Sequence, residues 1–477
     1  MWHKKSYDAI VIGAGPNGLV AAITLARADW SVLLVEANER IGGAAGSAEL
    51  TLPGFIHDLG SAVHPFAVAS PFFRSLRLER YGLRWCYSPA VLAHPLEGGR
   101  AALLERSIRA SGKTLGADAA AYRRLMAPLV RRWERIVPFV LNPLRLPRHP
   151  LDVARFGLAA LMPATLLARS IFREEPARAL LAGLAAHSTL PLEAPASSAA
   201  GLVLGMLGHA VGWPIPQGGA QAISDALAAC LRELGGEIVI GCPIEHIDEL
   251  PTRRALLLNL TPRQVLHIAG DRLPAHYRQR LAGYRYGPAV YKVDYALDGP
   301  IPWAAAGCRR AATVHLGGSL VEIARSERAP AGGVSPVEPY VLLAQPTLFD
   351  SSRAPAGKQI AWAYCHLPHG STEDLSERIE AQIERYAPGF RARIIARSAM
   401  GPQQLEAWNR NLVGGDISGG RPDLWQLLAR PVLSPTPYAT PLPGLFICSS
   451  STPPGPGVHG MSGYNAAQVV LHHSRKR

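Results

Sequence analysis

The residues best able to do chemistry stand near the start of the chain. Gly13-Ala14-Gly15-Pro16-Asn17-Gly18 has the spacing G-x-G-x-x-G, and Glu36-Ala37 closes a second apolar run, Val32-Leu33-Leu34-Val35. Ahead of the glycines lies Ala9-Ile10-Val11-Ile12, and behind them Leu19-Val20-Ala21-Ala22. Strand, glycine turn, helix, strand and acid therefore come in the register that binds the ADP part of a dinucleotide. Gly13 serves the tight turn, Gly15 lets backbone approach a pyrophosphate, and Gly18 lets the helix pack on the strand. The helix N-terminus offers unpaired N–H groups to phosphate, and the Glu36 carboxylate can accept from ribose hydroxyls. A glycine turn in an α/β core without ligand is the bland alternative.

Two further glycine segments narrow the choice of dinucleotide. Gly42-Gly43-Ala44 brings a second backbone segment close to the cofactor, which a nicotinamide dehydrogenase does not need. Near the other end, the strand-like Leu445-Phe446-Ile447 runs through Ser450 into Gly455-Pro456-Gly457-Val458-His459-Gly460-Met461, which opens a terminal helix. With Pro53-Gly54-Phe55-Ile56-His57-Asp58-Leu59-Gly60-Ser61 and Val413-Gly414-Gly415-Asp416, these motifs resemble the phytoene dehydrogenase (carotenoid desaturase) and carotene ketolase-like oxidoreductases. These belong to the FAD amine oxidase superfamily, and the resemblance runs over nearly the whole length. It implies noncovalent FAD held by both ends of the chain, with a helix N-terminus beneath the flavin ring. Gly60, Ser61, Ser450 and residues 457–461 would lie against the cofactor, with Ile244 returning a backbone group to the adenine.

At 477 residues the chain exceeds what one core sustains. The fold class expected is α/β: a Rossmann-like FAD-binding domain interleaved with an α+β substrate domain of a mixed antiparallel sheet plus helices. The first takes residues 1–93, 213–270 and 431–477. The second takes 94–212, as a helical lid, and 271–430, where patterns such as Val290-Tyr291-Lys292-Val293-Asp294-Tyr295 suggest an antiparallel sheet. The first helix ends at Ala28-Asp29-Trp30, where such units often place glycine; aspartate tolerates the left-handed cap better than most residues.

Composition bounds the rest. Six scattered cysteines show neither C-x-x-C nor metal spacing, which fits a reducing, cytoplasmic setting without structural disulfides or a metal site. Residues 1–7 are too short and polar for a signal peptide. The net charge of +13 is concentrated: ten arginines lie from Arg123 to Arg173 against Glu134 and Asp152, among apolar helical runs. A solvated helical lid is the simpler reading. A surface peripheral to an anionic membrane is the other. Nucleic acid is not expected, since no binding motif accompanies the charge, and composition leaves the oligomeric state open.

Hydride acceptance at flavin N5 would carry the chemistry, so protein groups would orient the substrate and handle a proton. Candidate helpers are His64, His459, Asp416 and Lys292, a mid-strand lysine between apolar neighbours. The resemblance places Lys292 where flavin amine oxidases hold a water at N5, and Tyr464 near one of their cage tyrosines. Structural roles compete for each, and His57-Asp58 would pair with each other or with backbone. The reaction expected is hydride transfer from, or double-bond rearrangement of, a hydrophobic substrate, an isoprenoid or similar lipid. A small amine, or a scaffold with little turnover, is the alternative.

Overall fold

The structure is a computed structural model that describes residues 3–475, so the extreme terminal residues of the expected boundaries lie outside it. Strand Ser6–Ile12 lies between Val32–Val35 on one side and Thr252–Leu258 on the other. Glu237–Val239 and Leu445–Ile447 close the two edges, and all five strands run parallel. Such a sheet is buried on both faces, which is why Ala9, Ile10, Leu33, Leu34 and Leu257 are fully enclosed.

Helix Pro16–Ala26 crosses this sheet, starting from Gly15 with proline in its first turn and ending before Asp29, whose φ is 61°. The left-handed cap expected of Asp29 is therefore formed. The terminal helix Met461–Arg475 packs directly on this first helix. A Cβ on Gly463 would fall 1.8 Å from the Asn17 carbonyl oxygen, so only glycine permits that approach.

A second, seven-stranded sheet runs Ile394–Met400, Ala289–Leu297, Gln359–Leu367, Val341–Ala344, Ala311–Leu316, Ala90–Leu96, Arg100–Glu105. It is mainly antiparallel and mixed, as expected of the substrate domain, because Ala311–Leu316 and Ala90–Leu96 pair in parallel. The boundary expected at 93/94 falls inside Ala90–Leu96, which belongs wholly to this sheet. Likewise helix Ala275–Ala282, beyond the expected boundary at 270/271, buries Tyr277 and Leu281 against the first sheet.

Alternation along Ala289–Leu297 divides the second sheet into two faces. Tyr291, Val293 and Tyr295 join Ala361, Ala363, Ile379, Ile383 and Phe390 in an apolar core. The opposite, inner face carries Lys292 and Asp294, paired across the strands with Tyr364 and Trp362. It continues through Leu342 and Ala344 to His315 and Thr313. Helices Glu175–Ala186 and Ser198–Ala210, within the expected lid, cover its far end, where the Tyr340 hydroxyl donates to Gly183.

Candidate active site between the glycine cradle and the inner sheet face

The glycines form a cradle of backbone. Gly13 has φ +94°, donates to Val35, and accepts at its carbonyl from the Asn259 side-chain amide at 3.1 Å. A Cβ on Gly18 would lie 1.9 Å from the Gly13 oxygen, and one on Gly43 would lie 3.2 Å from the Gly15 Cα. The second glycine pair thus lies on the first turn, with Gly42 N–H donating to Ala14. Ala44 in turn abuts Gly60, where a Cβ would sit 2.8 Å from its carbonyl oxygen, and accepts from the Ser61 hydroxyl. Asn17 is buried and its side-chain oxygen has no hydrogen-bond partner in the protein.

Glu36 is buried, and burial raises its pKa. Its carboxylate accepts from the backbone N–H groups of Ala14 at 2.7 Å and Asn38 at 3.0 Å, which oppose that rise. Beside it, Glu36 N–H donates to Val239 and Cys242 N–H to Glu36, so the chain returns past the cradle just before Ile244. Ala37 follows directly in this turn.

The C-terminal segment closes the cradle from the other end. Gly457 and Gly460 take φ of +130° and +70°. His459 between them is fully buried, and its carbonyl accepts from the Ser70 hydroxyl. Its Nδ1 accepts from Met461 N–H at 3.0 Å and so holds the first turn of the terminal helix. That assigns the proton to Nε2, which makes no hydrogen bond in the protein. Burial lowers its pKa to about 4, so the ring is neutral at neutral pH. Val458 lies half-buried alongside, and Ser450 meets Gly419 and accepts at its carbonyl from Arg430.

His64 is also buried, neutral, and lowered to about 4 by burial, with an unpartnered Nε2. It begins the short helix Pro65–Ala69 and stands 6.2 Å from the Trp85 ring.

Lys292 is almost wholly buried and forms an ion pair with Asp294 two residues on. Its ammonium lies 6.0 Å from the Trp362 ring centroid. Burial raises the Asp294 carboxyl to about 6, against the opposing pull of Lys292. The other Asp294 oxygen faces His57 Nδ1 at 3.6 Å, too far for a hydrogen bond. His57 Nε2 meets the Thr51 hydroxyl at 2.8 Å, and burial with the Lys292 charge holds its pKa near 3.

Three of the segments singled out find definite partners. His57 and Asp58 do not pair with each other, and of the two alternatives it is the backbone one that Asp58 takes up. Asp58 accepts from the Ser47 hydroxyl and Ala220 N–H, both at 2.8 Å, and faces the buried Arg353 at 2.9 Å. Strand alternation sends the two neighbours to opposite sides, so each finds partners distant in sequence. Asp416 accepts from the N–H groups of Gly287, Ser418 and Gly420. With both oxygens committed to backbone, it shapes its loop instead of offering a free carboxylate. The Tyr464 ring packs against Phe72 at 5.1 Å, a neighbour that spacing did not suggest.

Several residues of the site had no visible signal. Asn259, which ties the glycine turn, follows an apolar run, a position that by itself marks only a strand end. Trp362, His366 and Glu327 were hidden in a strand and a helix. His366 Nδ1 meets Glu327 at 2.7 Å, leaving His366 Nε2, Glu327 Oε1 and Trp362 Nε1 buried without partners. Only the alternation along Gln359–Leu367, which sets Trp362, Tyr364 and His366 on one face, could have marked them.

The architecture, a parallel Rossmann-like sheet beside a mixed seven-stranded sheet, is one that solved oxidoreductases share. Residues 11–76 match the family described as an NAD(P)-binding Rossmann-like domain. Over 98% of its length the chain is 27% identical to a pyridine nucleotide-disulfide oxidoreductase domain-containing protein 2 of Rattus norvegicus, 94% of which is covered. A 63-residue stretch, 13% of this chain and 12% of the relative, is 50% identical to the 4,4'-diapolycopene oxygenase of a Methylomonas species. Among solved structures, wild-type putrescine oxidase bound to putrescine superposes with a TM-score of 0.62 at 16% identity, covering 99% of each chain.

Proposed function

We propose that the protein is an FAD-dependent oxidoreductase that takes hydride from a substrate held between the glycine cradle and the inner face of the seven-stranded sheet. The observation that carries this reading is convergence. Gly13, Gly15 and Gly18 at one end of the chain, Gly43 in the next turn, and Gly463 at the other end all meet around helix Pro16–Ala26. These residues suit a flavin dinucleotide: backbone lies where any side chain would intrude, and Asn17 Oδ1, His64 Nε2 and His459 Nε2 are buried polar atoms awaiting a partner. Glu36 and the helix N-terminus would hold the ribose and pyrophosphate. FAD, when bound, supplies the hydride acceptor.

The chain's own groups then orient substrate and manage charge. Lys292 keeps its ammonium on the inner face through Asp294, and the neutral imidazoles of His64 and His459 can donate or accept without adding charge. The unpartnered atoms of Trp362, His366 and Glu327 flank Tyr364, the cross-strand neighbour of Lys292. An inner face of this composition suits a compact substrate that hydrogen-bonds, such as an amine, better than a bare hydrocarbon. The isoprenoid reading keeps support in the local identity to the 4,4'-diapolycopene oxygenase.

The test is to purify the chain, release its flavin by denaturation, and mix it anaerobically with amines and isoprenoids while following flavin absorbance. Release of free FAD and bleaching by amines is the expected result. A colourless protein that binds no added FAD overturns the cofactor reading, and flavin that stays with the denatured chain overturns its noncovalent attachment. Bleaching by isoprenoids alone restores the hydrocarbon reading.

A further inference from the structure

Residues 144–169 hold an apolar surface that water does not explain. Helix Pro150–Ala160 buries Val153, Phe156 and Ala160 against the protein, as an amphipathic helix should. Its outward face is nonetheless apolar too. Leu151 and Leu158 are 77% and 76% exposed, Leu161 follows on the same side, and Leu146 just before the helix is 95% exposed. Leu144 and, on the next helix, Leu166 are also exposed. Scattered exposed leucines are ordinary, but a local group of six marks an interaction surface.

The surrounding charge selects the partner. Arg145, Arg148, Arg155 and Arg169 are all exposed in this segment. Asp152 is the single acidic residue between positions 142 and 173, and it is buried and committed to Arg132 at 2.6 Å and Arg135 at 3.0 Å. The patch is therefore apolar with an uncompensated basic border. A second copy of this chain would set these arginines against one another across a two-fold axis.

Neither helix of this segment is a span by itself. Helices Pro150–Ala160 and Ala164–Ile171 have eleven and eight residues and meet at a 98° bend. Neither reaches across a hydrocarbon core of roughly 30 Å. Among the described residues no single helix is long and apolar enough to cross a membrane.

We propose that this bent helical pair docks on an anionic lipid surface, with Leu146, Leu151, Leu158 and Leu161 entering the acyl boundary and the four arginines lying at the headgroups. The attachment is reversible, because short helices and screened charges hold it. It brings the polypeptide that covers the far end of the inner sheet face to the lipid. The inference stands on the exposed surface alone and is independent of the substrate.

The test is co-sedimentation of the full chain with vesicles of phosphatidylcholine alone or mixed equally with phosphatidylglycerol, at low and high salt. The wild-type chain is expected to pellet with the anionic vesicles at low salt and to be released at high salt. Leu151→Ser/Leu158→Ser/Leu161→Ser should weaken binding by about a hundredfold or more. Arg145→Gln/Arg148→Gln/Arg155→Gln should weaken it by about a hundredfold on anionic vesicles. All six side chains are exposed, so unchanged melting temperature and sedimentation coefficient confirm that these variants fold. Failure of the wild type to pellet with either vesicle overturns the proposal, as does undiminished binding by the leucine variant. A lipid-free dimer that the leucine variant abolishes would make the patch an interface between copies and equally overturn it.

Discussion

Replacing Lys292 by methionine tests whether the inner face is built around a buried ion pair. In the wild-type protein Asp294 is raised to about 6 from an ordinary 3.8, a gap worth roughly 3 kcal/mol against the ionised form even with Lys292 beside it. Lys292→Met takes away the nearest compensating charge and leaves Asp294 between its cross-strand neighbour Trp362 and His57, with the more distant Arg353 as the remaining cation that favours its ionised form. Removing one partner of a buried pair costs about 3–5 kcal/mol. For 477 residues unfolding as a unit, the entropy of unfolding is about 1 kcal/mol per degree, so the melting temperature should drop by about 3–5 °C.

The pH dependence carries a definite sign. A carboxyl whose folded pKa is raised binds a proton that the unfolded chain has released, so its contribution to stability falls as pH rises from 3.8 through 6. At pH 5 the wild-type Asp294 is already mostly neutral and little depends on Lys292. At pH 8 it is ionised, and the variant must either hold a proton or bury an unpaired charge. The loss should therefore be larger at pH 8 than at pH 5. Lys292→Met/Asp294→Leu should recover most of it, since a packed apolar pair replaces a buried ionic one at little cost. Circular dichroism melts of the full-length variants at both pH values read this directly. A Lys292→Met protein as stable as wild type at pH 8, or a double variant no more stable than the single, would refute the reasoning.

Other outcomes follow from the same geometry. Acid should unfold the protein between pH 6.5 and 4: burial lowers His57 and His187 to about 3 and His64, His94, His209 and His459 to about 4. The unfolded chain then binds protons that the folded one refuses, at up to about 3 kcal/mol each, and an intact near-ultraviolet dichroism spectrum at pH 4 would contradict this. Gly463→Ala should separate the terminal helix from Pro16–Ala26 and lower flavin retention and melting temperature together. Gly157→Ala, where nothing lies within 4 Å, should be neutral or stabilising by about 0.5–1 kcal/mol in the same melts. Glu36→Ala should weaken FAD by about ten- to a hundredfold in a flavin titration, because it strands the N–H groups of Ala14 and Asn38 as well as the ribose.

Sequence alone determined what rests on local conformation. The βαβ unit is legible because Gly13, Gly18 and Glu36 answer to a turn, a helix contact and a strand end within one short stretch. Asp29 declares its left-handed cap for the same reason. Tertiary structure decided whatever joins distant segments. Lys292 was visible as an odd residue, but its surroundings combine Asp294 on its own strand, Trp362 from the next and, beyond Asp294, His57 from the far N-terminal region. Asp58 could have chosen its neighbour, yet the fold brought Arg353 to it across nearly three hundred residues. Strand Ala90–Leu96 reads as apolar in either sheet, and only pairing with Ala311–Leu316 assigns it to the second. The exposed leucines around Pro150–Ala160 show the limit most plainly. Periodicity reveals that a helix has an apolar stripe, but when it is apolar on both sides, packing alone decides which side remains outside.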